Sequence, residues 1–199
     1  MLTSEYTPVS EEEYLRLEAH SPTRHEYVNG ELFAMTGGTL RHNVIAGNVF
    51  AALRTHLRTT SCRAFMNDVR VRVQKHNAYY YPDVLVSCGP SMQSLDAESS
   101  TVEDPVLILE VLSANTEATD RREKLLAYRT PPSLAEYILV SQDQARLEIH
   151  RRRGDIGWER LEYTGPERVH FASVDLTLDM REIYEGVPIE ALTRPPGQP

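Results

Sequence analysis

Two nearby segments decide the fold of this chain: YYYPDVLVSC, residues 79–88, and VLILEVLSANTEATDRREKLLAY, residues 106–128. Each contains a short apolar run rich in valine, leucine or isoleucine, at 84–86 and at 106–112. Runs of this length and composition, bounded by polar residues, are typical of buried strands. The end of the second segment, TEATDRREKLLAY, predicts a helix. Together the segments predict two neighbouring core strands followed by a helix.

Each predicted strand carries one carboxylate, Asp83 at the start of the first and Glu110 within the second. An ionised carboxylate is costly to bury unless it is paired or binds a cation. Two acids on neighbouring strands therefore predict a shared partner, and a divalent metal ion would satisfy both. Lys124 follows on the predicted helix, close enough in sequence to fold back over the end of the Glu110 strand. The open alternative is a pair of strand-end acids bonded to backbone amides.

Length and composition predict one globular domain, residues 1–190, with a disordered tail at 191–199. The chain has 199 residues, 41% hydrophobic and 25% charged, which is enough for a real core. Its apolar runs are too short to span a bilayer, and its N-terminus lacks a signal pattern. We expect a cytoplasmic protein with no membrane partner. Cys62 and Cys88 could pair in principle, but two cysteines in such a chain are more often buried thiols.

The net charge of −8 argues against a protein whose whole surface binds nucleic acid, but not against a local basic groove. Acids gathered at a metal site would contribute to this negative charge. Of the 21 basic residues, only Lys75 and Lys124 are lysines. Ammonium and guanidinium groups do different chemistry, so a lysine that follows the two acids is notable. Chance placement is the simpler alternative.

The first half of the chain predicts helices around a hairpin. Ser10 followed by Glu13 is a capping box that opens a short helix, and Asn29-Gly30 between apolar residues predicts a two-residue hairpin turn. Apolar residues at helical spacing predict the longest helix at 40–57. Alternation of apolar and polar residues at 69–73 predicts a strand with one solvated face.

The second half predicts the rest of a mixed sheet. Residues 89–105 predict a surface connection, and the helix between the strands at 106–112 and 136–141 predicts a parallel crossover. Segments 145–153 and 157–164 predict an antiparallel hairpin at the sheet edge, and 178–185 a last helical turn. The fold class is therefore α/β (α+β), with a mixed central sheet flanked by helices, an N-terminal hairpin and C-terminal antiparallel strands.

The motifs YYYPDVLV, PVLILEVLSANTEATDRREKLLAY and EYILV, in this order, resemble the Uma-type restriction endonuclease family, formerly a domain of unknown function. The resemblance also includes HEYVNGELFAM and covers roughly residues 6–185. The family is similar to the PD-(D/E)XK nucleases. This resemblance implies a restriction-endonuclease-like fold with a metal-dependent phosphodiesterase site at the sheet.

The resemblance also implies roles for individual residues. Asp83 and Glu110 match the motif acids and should ligate Mg²⁺ or Mn²⁺, with the backbone carbonyl of Val111 as an additional ligand. Leu112 stands where the motif lysine normally lies, so the lysine would have moved to Lys124. Its role would be to orient the attacking water or to stabilise the transition state. Ala114, where the family usually has proline, should change only loop stiffness.

Three further polar residues carry weaker implications. Glu26 matches an acid on the family's first strand and would bind a metal-bound water or a second ion, unless it is an exposed strand-end glutamate. His42, near a family histidine, would contact phosphate or position water, although a lone histidine at a helix start is more often structural. Asp120, four residues before Lys124, would simply pair with it.

Other clusters have ordinary structural interpretations. The run 151–153 of three arginines is usually a solvated face, but in a nuclease it would contact phosphates. The tyrosines at 79–81 are expected to pack the strand rather than to stack on bases. We expect ordinary surface charge at Arg41, Arg54 and Arg58.

The leading functional hypothesis is a Mg²⁺-dependent or Mn²⁺-dependent DNA endonuclease that acts as a homodimer, because cutting two strands commonly requires two sites. The first alternative is an inactive nuclease-fold module that binds DNA or a protein partner. The second is a metal-dependent hydrolase of another phosphate ester.

Overall fold

The computed structural model describes residues 8–90, 92, 99–114, 116–189 and 192. Part of the predicted connection at 89–105 lies outside the described residues. So does the predicted disordered tail at 191–199, apart from residue 192. The predicted fold class is confirmed, since mixed sheets are flanked by helices.

The helices are α1 (Glu11–Glu18), α2 (Leu40–His56), α3 (Glu117–Thr119), α4 (Leu125–Tyr128) and α5 (Met180–Ile183), and a π-helical turn at Asp120–Lys124 joins α3 to α4. The strands are β1 (His25–Val28), β2 (Glu31–Ala34), β3 (Arg63–Met66), β4 (Arg70–Val73), β5 (Ala78–Tyr80), β6 (Val84–Ser87), β7 (Thr101–Val102), β8 (Pro105–Leu112), β9 (Glu136–Ser141), β10 (Arg146–Arg152), β11 (Trp158–Thr164), β12 (Arg168–Phe171) and β13 (Leu176–Asp179).

The central sheet has six strands in the order β11-β10-β9-β8-β6-β3. Strands β8 and β9 are parallel, and all other neighbours in this sheet are antiparallel. The segment α3–π turn–α4 connects β8 to β9, which is the crossover that parallel strands require. The predicted hairpin of β10 and β11 lies at one edge of the sheet, as expected.

The two faces of the central sheet are covered by different layers. Val84 and Val86 of β6 point to the side where α2 packs, and Leu85 points to the side where β4 and β5 lie. Alternate residues of β8 divide in the same way, because successive side chains of a strand point to opposite faces. Burying each such side chain contributes roughly 1.5–3 kcal/mol. The sheet therefore has a core on both faces.

A second sheet of five strands, in the order β2-β1-β5-β4-β7, lies on the β4 and β5 side. Its first hairpin turns at Asn29 (φ 49°) and Gly30 (φ 94°), as the sequence predicted. A Cβ at position 30 would lie 2.4 Å from the Pro8 side chain, so glycine is required there for both backbone conformation and space. The hairpin carries Glu26 on β1 towards the central sheet.

The local predictions for the helices hold with small differences. The Ser10 hydroxyl caps α1 by accepting the Glu13 N–H at 3.2 Å, and α2 is the longest helix of the described residues. The last predicted helical turn is shorter than 178–185: Leu178 and Asp179 belong to β13, and α5 spans Met180–Ile183. No helix among the described residues is long and apolar enough to cross a membrane.

The prediction that the cysteines are free thiols is wrong. Cys62 and Cys88 form a disulfide, with their Cα atoms 4.0 Å apart. They lie one position beyond the register pair Arg63 and Ser87 of β3 and β6. The sheet pairing therefore brings together two cysteines that are 26 residues apart in sequence.

The arginine run at 151–153 is only partly a solvated face, because Arg151 and Arg152 are partly buried and only Arg153 is exposed. Arg151 Nε donates to the buried Glu136 at 2.7 Å, and its Nη2 donates to the His170 carbonyl. Arg152 donates to the carbonyls of three residues, which are Leu134, Arg129 and Pro131. Arg153 pairs with Glu159 on β11. The run therefore connects β10 to the segments beside it, because each of its three guanidinium groups has a partner within the protein.

Candidate functional site

A cleft of about 500 Å³ opens where β6 begins and β8 ends. These strands are antiparallel, with Val84 opposite Leu109, so Asp83 and Glu110 face each other at the same edge of the sheet. Asp83 lies on the same face as Leu85, and Glu110 lies on the same face as Ile108 and Leu112. Both carboxylates line the cleft. The strand pairing alone therefore brings the two predicted acids together.

Asp83 and Glu110 bind each other's backbone. Glu110 Oε2 accepts the Asp83 N–H at 3.3 Å, and Asp83 Oδ2 accepts the Val111 N–H at 2.7 Å. These bonds match the alternative in which strand-end acids bind backbone amides. They also fix the direction of both carboxylates, and each oxygen retains a second lone-pair position.

Lys124 reaches the acids from the π-helical turn. Its ammonium group lies 2.9 Å from Glu26 Oε1, 3.1 Å from Glu110 Oε1 and 3.3 Å from Asp120 Oδ1. The predicted pairing of Asp120 with Lys124 is therefore present. Asp120 and Lys124 occupy the two ends of the π-helical turn, and π turns often occur at functional sites. The turn directs both side chains towards the cleft.

Glu26 is not an exposed strand-end glutamate, because only 14% of its side chain is accessible. Its Oε1 atom accepts the backbone N–H of Tyr81 at 3.2 Å and also lies near Lys124. Tyr79 and Tyr80 are buried in the core, as predicted for this strand. Glu26 therefore connects the second sheet to the segment that carries Asp83.

His42 lies in the first turn of α2, where Thr39 caps the helix by accepting the His42 N–H. The imidazole Nε2 atom lies 2.8 Å from Asp83 Oδ1. The hydrogen bond and charge of Asp83, with a smaller effect from Asp120, raise the pKa of His42 in spite of its partial burial. The helix thus supplies a hydrogen-bond partner to one of the two acids.

The charge of the cluster is unbalanced. Three carboxylates, those of Glu26, Glu110 and Asp120, lie within 3.3 Å of the Lys124 ammonium group, and a fourth, Asp83, lies beside Glu110. Burial and then the other three acids raise the pKa of Glu110 well above its usual value, and Lys124 opposes them. Burial alone would lower the pKa of Lys124, but Glu110 and Glu26 raise it well above its usual value. The cluster therefore has an excess of negative charge that favours a cation.

The donor set fits a small hard cation. Mg²⁺ and Mn²⁺ prefer carboxylate and carbonyl oxygens together with water, and the cleft offers two facing carboxylates and the Val111 main chain beside open space. Among the described residues, no group of three or more histidine, cysteine, aspartate or glutamate side chains is arranged to hold a metal ion. A cation here would therefore take several ligands from water.

The rim of the cleft consists mainly of uncharged polar residues that the sequence analysis did not single out. It includes Gly37 and Gly38, and a Cβ on Gly38 would lie 3.0 Å from the His42 ring. The same loop ends at Thr39, whose hydroxyl donates to Gln142 at 2.7 Å. A glycine pair directly before a capping threonine is the one local signal that could have identified this rim.

Comparisons with known proteins agree with this architecture. The model of the Uma2 family, described as "Putative restriction endonuclease", matches residues 11–181. Two relatives from Synechocystis sp. (strain ATCC 27184 / PCC 6803 / Kazusa) are the uncharacterized proteins slr1290 and sll1609. The first is 32% identical and covers 92% of this chain and 94% of its own length; the second is 31% identical and covers 77% and 86%.

One solved structure shares the fold. It is the crystal structure of a "putative nuclease belonging to DUF820" from Anabaena variabilis ATCC 29413. It superposes with a TM-score of 0.74 at 17% identity, over 89% of this chain and 98% of that chain.

Proposed function

The chain belongs to the Uma2 family of "putative restriction endonucleases", and from this membership and the cleft we propose that it is a DNA endonuclease that depends on Mg²⁺ or Mn²⁺. It would hydrolyse phosphodiester bonds with an activated water molecule. We also propose that it acts as a homodimer, since cutting both strands of a duplex commonly uses two copies of one site.

One observation carries the proposal: Asp83 and Glu110 face each other across β6 and β8, with the Lys124 ammonium group 3.1 Å from Glu110, at the wall of an open cleft. An isolated structural ion pair would need one acid for one lysine. This cluster has three further acids, so its geometry supports the binding of an additional cation.

The residues would divide the work as follows. Asp83, Glu110 and the Val111 carbonyl would hold the metal ion, which would supply positive charge to the phosphate and lower the pKa of the attacking water. Lys124 would stabilise the negative charge that develops on the phosphate oxygens. Glu26 would hold Lys124 in place from the opposite sheet. His42 would fix the orientation of Asp83 through its 2.8 Å contact and would lie where a phosphate or water enters.

Nicking of supercoiled plasmid DNA in Mg²⁺ or Mn²⁺ tests the proposal. Asp83→Asn, Glu110→Gln and Lys124→Met should each reduce the rate by about 100-fold or more, because each removes charge from the reacting centre. Asp175→Asn is the matched control, since this acid is 97% exposed and distant in sequence from the cleft residues. Equal nicking by all five proteins would overturn the proposal. Binding of DNA without nicking by the wild type would indicate the inactive module instead.

A further inference from the structure

Acidic residues are distributed very unevenly along the chain. Between Glu31 and Asp68 there is no aspartate or glutamate, although the whole chain has 29 acids and a net charge of −8. This acid-free segment forms the rest of β2, the loop at the cleft rim, α2 and β3. It contains four arginines, at positions 41, 54, 58 and 63. The segment between Glu31 and Asp68 is therefore basic, although the whole protein is acidic.

The exposed side of α2 forms a continuous ridge that runs along the helix. Ile45, Val49 and Leu53 are buried against the central sheet, so the opposite side of the helix faces outwards. Residues three, four or seven positions apart share one side of a helix. We define the α2 ridge by the outward residues at this spacing, which are Leu40, Asn43, Gly47, Ala51 and Arg54 of α2, together with Arg58 of the 3-10 turn (Leu57–Thr59) that follows the helix.

The α2 ridge begins at the cleft, and the residues in its middle have small side chains. Asn43 lines the cleft itself. One and two turns further along, Gly47 and Ala51 have small side chains, and a Cβ added at Gly47 would meet no atom within 4 Å. A long polymer backbone can therefore approach this part of the helix closely.

The two arginines at the far end of the ridge are available for a ligand. Arg54 and Arg58 are exposed, and within the described ranges neither takes part in an ion pair. Arg41 also points outwards but lies 3.7 Å from Asp143. By contrast, Arg146 and Arg160 on the β10–β11 hairpin are held by Glu148 and Glu162.

The centre of the cleft disfavours a polyanion, because three carboxylates contact its one lysine and a fourth, Asp83, lies beside Glu110. Phosphates that approach it are repelled until a cation is bound. Nucleic-acid binding normally depends on Lys and Arg contacts to phosphates, often gathered on one face or along one helix. The α2 ridge meets this requirement directly beside the cleft.

We propose that the α2 ridge is the docking surface for the phosphate backbone of a double-stranded nucleic acid whose scissile phosphate enters the cleft. The inference rests on the proposed endonuclease function and adds where the substrate lies. At about 1.5 Å per residue, Arg54 lies roughly 17 Å along the helix from Asn43, and Arg58 lies about one turn beyond Arg54. At about 3.4 Å per base pair, they contact phosphates about six base pairs from the cleft.

Fluorescence anisotropy with a labelled DNA duplex in Ca²⁺, titrated over a range of salt concentrations, tests the inference. The double variant Arg54→Gln/Arg58→Gln should bind about tenfold more weakly, and the slope of log K against log salt should become shallower by about 2, since each phosphate contact contributes about 0.9. Ala51→Glu should also weaken binding, because it places a negative charge between Asn43 and Arg54. Arg16→Gln/Arg168→Gln is the matched control, with the same change in net charge elsewhere on the surface.

Equal affinity and equal salt slope of the ridge variant and the control variant would overturn the inference, and so would a wild-type protein that does not bind the duplex. The proposed function is measured separately by plasmid nicking. If nicking depends on Asp83 but duplex affinity does not change on substitution of Arg54 and Arg58, the docking surface is overturned and the endonuclease function is supported. If duplex affinity depends on the α2 ridge but the wild type does not nick DNA, the docking surface is supported and the endonuclease function is overturned.

Discussion

Lys124 lies 3.1 Å from Glu110 although the two residues come from different elements, a π-helical turn and a central strand. Only 7% of the lysine side chain and 5% of the glutamate side chain are accessible. The contact is thus a buried ion pair, and it lies within a group of four acids. Its energetic and chemical roles can be separated by experiment.

Removal of the lysine should destabilise the protein. Lys124→Met would leave Glu26, Glu110 and Asp120 close together without a cation, and breaking a buried pair in this way costs roughly 3–5 kcal/mol. Urea unfolding at neutral pH measures the loss. Added Mg²⁺ should recover more stability in Lys124→Met than in the wild type, because the ion would replace the missing charge. An unchanged unfolding midpoint would show that the ion pair contributes nothing.

Divalent cations should bind at the two facing acids. Calorimetric titration with Mn²⁺ should give a heat of binding for the wild type that Asp83→Asn abolishes, since half of the protein carboxylate donors would then be lost. The control is Asp175→Asn, whose titration should equal that of the wild type. If Asp83→Asn still binds Mn²⁺ with unchanged affinity, the ion is held elsewhere.

His150 should make the protein less stable in mild acid. Burial and the nearby Arg129 lower the pKa of His150 to about 4 from the ordinary 6.5. The unfolded chain therefore takes up a proton as the pH falls below about 6.5, whereas the folded protein does not until about 4, and stability is lost across this window. Between about pH 7 and pH 5 the loss from this residue is about 2 kcal/mol.

The comparison of wild type with His150→Leu isolates this effect. The variant should lose about 2 kcal/mol less than the wild type over the same interval, as measured by urea unfolding at each pH. Glu148, whose pKa is lowered by Arg121 and Arg160 against the effect of burial, loses its contribution only at lower pH. Parallel pH profiles of the two proteins would refute the prediction.

Arg152 should matter for stability and not for DNA. Its guanidinium group donates to three backbone carbonyls, so Arg152→Gln should cost at least about 2 kcal/mol, because even one hydrogen bond from a charged donor contributes roughly 1.5–3 kcal/mol. Thermal unfolding measures the cost, and the salt slope of duplex binding should not change. Arg54→Gln/Arg58→Gln should instead leave thermal stability unchanged and make the salt slope of duplex binding shallower. A shallower salt slope for Arg152→Gln would restore the phosphate interpretation of this arginine run.

The disulfide should stabilise the protein by restricting the unfolded chain. It closes a separation of 26 residues, for which chain entropy predicts about 3.5 kcal/mol. Cys62→Ala/Cys88→Ala and the reduced wild type should therefore unfold at similar, lower urea concentrations than the oxidised wild type. Equal midpoints for the oxidised and reduced wild type would contradict this. Since reducing compartments disfavour disulfides, the expected cytoplasmic location remains a prediction.

The sequence by itself determined the local elements and which residue types carry the chemistry. The apolar runs at β6 and β8, the Asn29-Gly30 turn and the Ser10 cap depend on residues within a few positions, so short-range rules identify them. The motif order also indicated Asp83, Glu110 and Lys124. The strands, the turn and the helix cap depend on interactions of one segment with itself or with water.

Only the tertiary structure decided which distant groups share an environment. Strand register placed Asp83 opposite Glu110 and joined Cys62 to Cys88, and it turned the guanidinium group of Arg151 towards Glu136. The same arginine type remains exposed at Arg54 because no acid lies beside it in the described structure. Charge and reactivity depend on distance through space and on burial, and a linear sequence specifies neither until the sheets have paired.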